Sequence, residues 1–327
     1  ELAGEYSRIL ALGIPFLYVY ELLRKILQAQ NIAAPMLIVA VIANIINIGL
    51  GYYLVNYTSS GWLGAAIART VSSISFPIML IFYLYVSKEY KTFWSPWNLK
   101  DAISGLRQFI ALGIPGMLQL CFEWWAFEVL AIICGLLPNP EVAIGANAVL
   151  LNTSTLTYMF YLGISVSGNV RVGNALGAGC PKRAKLASQL VLSLALVMSL
   201  FCAAGLLVYR NVLPMLFTHD AELDAYSSKL LYIAALFQIP DSVGASVQGI
   251  FRGSGRQSLG ANMCFVAYFV CGIPLGTFLA FQYELSVYGL WCGMTVGIVI
   301  FSVFGIVFIL KSDWVRLVKD AKRIRTR

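Results

Sequence analysis

Four acidic side chains fall inside long apolar stretches of this chain: Glu21, Glu123, Glu128 and Asp241. A charged carboxylate at the centre of a bilayer costs about 2.5–3.5 kcal/mol, so acids in such places mark function by default. Glu21 has a structural explanation, because Arg24 and Lys25 follow it at the spacing of neighbours on a helix face. Glu123 and Asp241 have no such partner, since no Lys or Arg is expected at their depth in any apolar segment. Each must be protonated, hydrated in a cavity, or paired with a cation that arrives from outside. Exchange among those states is what coupling to protons requires. Glu123 and Glu128 project roughly 140° apart on a helix, so a close dyad of the two in one pocket is not expected.

The surroundings suit a binding site. Pro115 precedes Glu123 by just over two helical turns and Pro240 directly precedes Asp241. Proline frees a backbone carbonyl, and interrupted helices line many transporter sites. Trp124 and Trp125 offer aromatic faces to a cation. Asn147, Asn152, Thr153, Ser154, Thr157 and Tyr158 form a polar stretch, and Gln248, Asn262 and Tyr268 mark later segments. Helix-to-helix hydrogen bonding accounts for most such groups. Asn152, Tyr158, Gln248, Asn262 and Tyr268 remain candidates for a cavity wall.

Other chemistries recede. The single histidine, His219, lies in a polar loop, and the seven cysteines show no CxxC spacing. No metal and no cofactor is expected beyond a coupling ion, with H+ favoured over Na+. The glycine-rich "GNVRVGNALGAG" follows no strand, so a nucleotide loop fits poorly and close helix approach or a turn fits better.

These residues need membrane helices to hold them. Of the 327 residues 59% are hydrophobic and 12% charged, and mean hydropathy is +0.79. Soluble domains are about 25% charged. Apolar runs fall at roughly 6–28, 33–56, 61–86, 106–137, 143–168, 186–209, 226–251, 258–282 and 286–310, each near the ~20 residues that cross a bilayer. Nine transmembrane helices are therefore expected.

Charge supports that count. With the first loop cytoplasmic, all of the 23 basic residues except Arg8, Arg69, Arg210 and Lys229 reach the cytoplasmic side. The net charge of +8 thus reflects topology and lipid contact, and no nucleic-acid partner is expected.

An internal repeat is also visible. The Ile-Pro pairs at 14–15 and 239–240 open similar stretches, and "GWLGAA" from Gly61 is echoed by "GLWCGM" from Gly289. Both copies run span, short basic loop, span, outer loop, span. Parallel repeats imply a pseudo-twofold axis along the membrane normal, and the shorter first copy implies about 100–125 further residues upstream.

Several long stretches, "FEWWAFEVLAIICGLLPNP", "GISVSGNVRVGNALGAGCPKRAK" and "IPDSVGASVQGIFRGSGRQSLGANMCFVAYFVCGIPLG", resemble the eukaryotic branch of the multidrug and toxic compound extrusion (MATE) family. So do "LQAQNIAAPMLIVAVIANIINIGLGYYLV" and "GWLGAAIA", so the likeness covers essentially the whole chain.

The resemblance implies an all-α polytopic membrane protein of two six-helix lobes around a central cavity, of which nine helices are present here. Residues 1–95 would be the second half of the first lobe, 96–310 the complete second lobe and 311–327 a basic cytoplasmic tail. It implies a monomeric antiporter, not an enzyme, exporting organic cations, xenobiotics or secondary metabolites. The plasma membrane and the vacuolar membrane are both compatible. By position it assigns proton coupling and substrate binding to Glu123, Glu128 and Asp241. Some animal members carry a further acid on the next helix, where this chain reads "NAVLLNTST". A lipid-linked sugar flippase is the nearest rival, and a membrane-embedded enzyme a more distant one. A flippase is expected to present basic residues in its cavity to a pyrophosphate, and none is visible at mid-depth in the spans.

Overall fold

The structure is a computed structural model that describes residues 2–88, 91, 98–217 and 220–325. His219 and Arg327 lie outside the described residues. The chain divides into two compact units, residues 1–99 and 100–327.

The first unit holds α1 (Leu2–Ala11), α2 (Ile14–Ala29), α3 (Ala34–Tyr57) and α4 (Leu63–Ser87). The first expected span is therefore two short helices. Leu12 and Gly13 interrupt it just ahead of Pro15, whose ring cannot donate to the helix ladder. Eight helices of the described residues are individually long and apolar enough to cross a membrane. Tyr20, Leu23 and Leu27 of α2 pack with Met36, Val39, Leu80 and Leu84 of α3 and α4. Ser72 Oγ donates to the Ala43 carbonyl at 2.9 Å, tying α4 to α3. Glu21 is paired with Arg24 at 2.7 Å and both are partly exposed, which is the structural role its spacing suggests.

The second unit holds α5 (Leu99–Cys134), α6 (Pro140–Gly177), α7 (Pro181–Val208), α8 (Ala221–Gly253), α9 (Gln257–Phe265), α10 (Ile273–Gln282), α11 (Ser286–Leu310) and α12 (Trp314–Arg325). A π-helical segment, Val266–Gly272, joins α9 to α10, so the three form one span. The 38 residues of α6 extend about 57 Å, well beyond the ~30 Å of a hydrocarbon core. The stretch "GNVRVGNALGAG" lies mostly within this helix. Gly168 there faces Val191 of α7, Gly173 faces Gly253 of α8, and Gly179 makes the turn with φ +74°.

Helix α8 is the axis of this unit, buried without interruption from Phe237 to Gln238 and from Asp241 to Phe251. It packs against α6, α7 and α11. Its sequence "DSVGASVQG" explains how three helices approach it: small side chains let backbones come close, and hydroxyls bond across. Ser242 Oγ donates to Ala195 O of α7 at 2.9 Å, and Ser302 Oγ of α11 donates to Pro240 O at 2.7 Å. Large apolar side chains such as Ile48, Phe82, Phe201 and Phe304 stand exposed on the long helices, as a lipid-facing surface requires.

Residues 314–325 form a docked helix and not a solvated tail. Trp314, Leu317 and Val318 of α12 belong to the core, at the three- and four-residue spacing of one helix face. A further contact within the core is directional: fully buried Trp291 donates its indole N–H to Asn147 Oδ1 at 3.0 Å. Asn147→Leu leaves that donor unpaired, and thermal unfolding in detergent is expected to show a loss of about 1–3 kcal/mol.

Candidate functional site

A cavity of about 180 Å³ opens into the second unit, lined from α5 by Glu123, Trp124, Phe127, Glu128 and Ala131, from α6 by Leu151, Ser154, Thr155 and Tyr158, and from α8 by Phe237 and Asp241. The spacings are those of helix faces: 151, 154, 155 and 158 on α6, and 237 and 241 on α8.

Of the three acids at its wall, Glu123 and Asp241 are only 4% exposed. Glu123 Oε2 accepts a hydrogen bond from Gln248 Nε2 at 3.1 Å. Among the described residues neither Glu123 nor Asp241 has an ion-pair partner within 4 Å, and the Asp241 carboxylate has no hydrogen-bond donor. The Ser154 hydroxyl, also buried and facing the cavity, has no partner either. A buried polar group without a partner is costly.

Aromatic rings complete the wall. Phe127 and Phe237 meet edge to face at 6.1 Å, and Trp291 backs both, with ring centres 6.4 and 5.4 Å away. Phe127 and Phe237 line the cavity and are held in place by this packing. Carboxylates and aromatic rings are both groups that attract cations. No Lys, Arg or His lines it among the described residues.

The structure sorts the sequence candidates. Glu123, Asp241, Glu128, Trp124 and Tyr158 come together at the cavity. Glu123 and Glu128 both border the cavity. The cavity embraces a wide arc of α5, with Glu123 buried and Glu128 exposed, so they still form no close dyad. Gln248 stands behind the cavity as the partner of Glu123. Tyr268 is fully buried in the π segment, its hydroxyl unpartnered, and it does not line the cavity.

Three candidates belong elsewhere. Trp125 lies nearly opposite Glu123 on α5 and is 55% exposed. Asn152 is exposed and bonds its own helix at Ala148 O. Asn262 is exposed, one position off the α9 face that buries Ala261 and Cys264. Phe127, Ala131, Leu151, Thr155 and Phe237 were not singled out from sequence. Their signal was the i, i+4 spacing from Glu123, Tyr158 and Asp241, which points to a shared face only once one residue of the set is known to face inward.

Comparison with known proteins places the chain. The MatE family model matches residues 1–53 and 115–278. A multidrug and toxin extrusion protein 1 from Danio rerio is 33% identical over 316 residues, which is 97% of this chain and 53% of that protein. Protein DETOXIFICATION 16 from Arabidopsis thaliana is 32% identical over 98% of this chain and 66% of its own length. The crystal structure of the eukaryotic MATE transporter AtDTX14 superposes with a TM-score of 0.94 at 31% identity, covering 98% of this chain and 72% of that one. The chain spans about half the length of the animal relatives it matches.

Proposed function

This chain belongs to the MatE family, and from that premise we propose that it serves as the cation-binding part of a proton-coupled exporter. Glu123 and Asp241 are the groups that hold the cation and the proton in turn. The observation that carries this reading is two buried, unpaired acids on the wall of one aromatic-lined cavity. Two carboxylates facing one low-dielectric space cannot both stay ionised unless a cation joins them. A proton and an organic cation therefore compete for the same place.

The size of the cavity speaks to substrate class. At about 180 Å³ it falls below the ~300–1,000 Å³ of sites that enclose a drug-sized molecule. It suits the ammonium or pyridinium head of a larger compound, with Trp124, Phe127, Tyr158 and Phe237 offering ring faces. Glu128, exposed at the rim, attracts a cation before it enters. A pyrophosphate-bearing lipid would meet only acids here, which disfavours flipping of lipid-linked sugars.

The coupling ion is tested directly. Purified protein in liposomes is expected to drive uphill exchange of a fluorescent organic cation under a pH gradient without sodium. Uphill exchange that appears only with a sodium gradient sinks the assignment to protons. Competition also sets a slope. As pH falls below the midpoint, the dissociation constant for the cation is expected to rise about tenfold per pH unit if one proton competes and about a hundredfold if two do. Quenching of tryptophan fluorescence, with Trp124 in the wall, reads it out.

A further inference from the structure

Extending the reading of Glu123 as the proton-exchanging acid, we propose that Arg252 is its resident counter-charge, a positioning residue docked at the end of α8. Charge placement by sequence puts this arginine on the cytoplasmic side, and the structure places it within the last turn of α8.

Three features place it in the site's electrostatics. First, Asp241, Ala245, Gln248 and Arg252 succeed one another at steps of four, three and four residues, which keeps them on one face of α8. Second, the guanidinium is anchored inside the unit. Arg252 Nη2 donates to Ser165 Oγ of α6 at 3.1 Å, and that hydroxyl, only 1% exposed, donates to the Ala245 carbonyl. Third, the residue between Arg252 and the acid is Gln248, which holds Glu123 Oε2. The Gln248 Oε1 atom is buried and has no partner.

The groups within electrostatic reach of Glu123 are Asp241 and Arg252 from α8, Tyr158 from α6, Cys264 from α9 and Tyr268 from the π segment. Arg252 is the cation among them. It makes no ion pair with Glu123 within 4 Å among the described residues. That separation matters. A direct bridge would hold the carboxylate permanently ionised and close it to both proton and substrate. A fixed charge about one helical turn further along α8 eases loss of the proton and leaves the carboxylate free for a cation.

The test measures binding of a tetraalkylammonium ion, whose own charge does not titrate, against pH in the purified protein. Removing the arginine charge lets Glu123 keep its proton to higher pH. Arg252→Gln is therefore expected to raise the pH of half-maximal binding by roughly one unit, the order of effect of a nearby unit charge at an effective dielectric near 20. Arg252→Lys is expected to restore most of the shift, because it keeps the charge. Ser165→Ala, which frees the guanidinium from its dock and also removes the bond to the Ala245 carbonyl, is expected to move the midpoint the same way by less.

An unchanged midpoint in Arg252→Gln overturns the proposal. So does an equal shift in Arg252→Lys, which would show a packing role. If Arg252→Gln does not fold, an unmoved midpoint in Ser165→Ala overturns it. Failure of the underlying reading looks different: binding by the wild type would then be insensitive to pH, and Glu123→Gln would bind as the wild type does.

Discussion

Glu123→Gln is expected to abolish uphill exchange of an organic cation under a pH gradient while leaving the protein folded. Glutamine keeps the shape of the protonated acid and can still bond Gln248, so packing around this buried position is preserved. What disappears is the charge. Removing one partner of a buried charge pair costs about 2–5 kcal/mol, so exchange is expected to fall on the order of 100-fold or more. The residual activity of Asp241→Asn separates two mechanisms. If both acids share one cation, both variants fail alike; if one proton on Glu123 suffices, Asp241→Asn weakens binding and retains coupling. Reconstituted Glu123→Gln that concentrates cation as well as the wild type would end the proposal.

The second large effect is structural, and it fails the site from a distance. Gly249 and Gly253 of α8 lie against the backbone of α6, and a Cβ on either would run into the carbonyl of Ser165 or Asn169. Four-residue spacing of small residues is what allows two membrane helices to approach this closely. Gly249→Val is expected to push α8 off α6, displacing Gln248 next to it and the dock of Arg252 on Ser165. Overpacking of this kind costs about 1–3 kcal/mol and more where backbone must move. Folded yield and the thermal midpoint are both expected to drop sharply. Gly163→Val on α6 is the control, because nothing lies within 4 Å of that position. Equal behaviour of the two variants would show that the contact between α6 and α8 does not limit stability.

How much of this was legible beforehand differs from residue to residue. Glu123 and Asp241 stood out because an acid in an apolar run is conspicuous on its own, whatever surrounds it. The ion pair of Glu21 with Arg24 was legible for the same reason, since its geometry is local to one helix. Trp125 and Asn152 each sit next to a cavity residue in sequence, and neither lines the cavity of the second unit. The break at Gly13 was hidden by hydropathy, which continues through a proline-containing interruption that the backbone does not. The role of Arg252 was hidden because a basic residue near a span end is read first as a marker of topology.

The amino-acid sequence by itself determined the membrane class, the order of its apolar segments, the family and the acids that have no resident partner within their own helix. Those properties depend on composition and on contacts between near neighbours in the chain. Tertiary structure alone decided which faces of α5, α6 and α8 look at one another, and so which side chains wall the cavity, that Gln248 holds Glu123, and that Arg252 reaches Ser165. The physical reason is the solvent. In water an apolar stripe announces the buried face of a helix, whereas in a bilayer lipid and protein interior are equally apolar, and only packing distinguishes them.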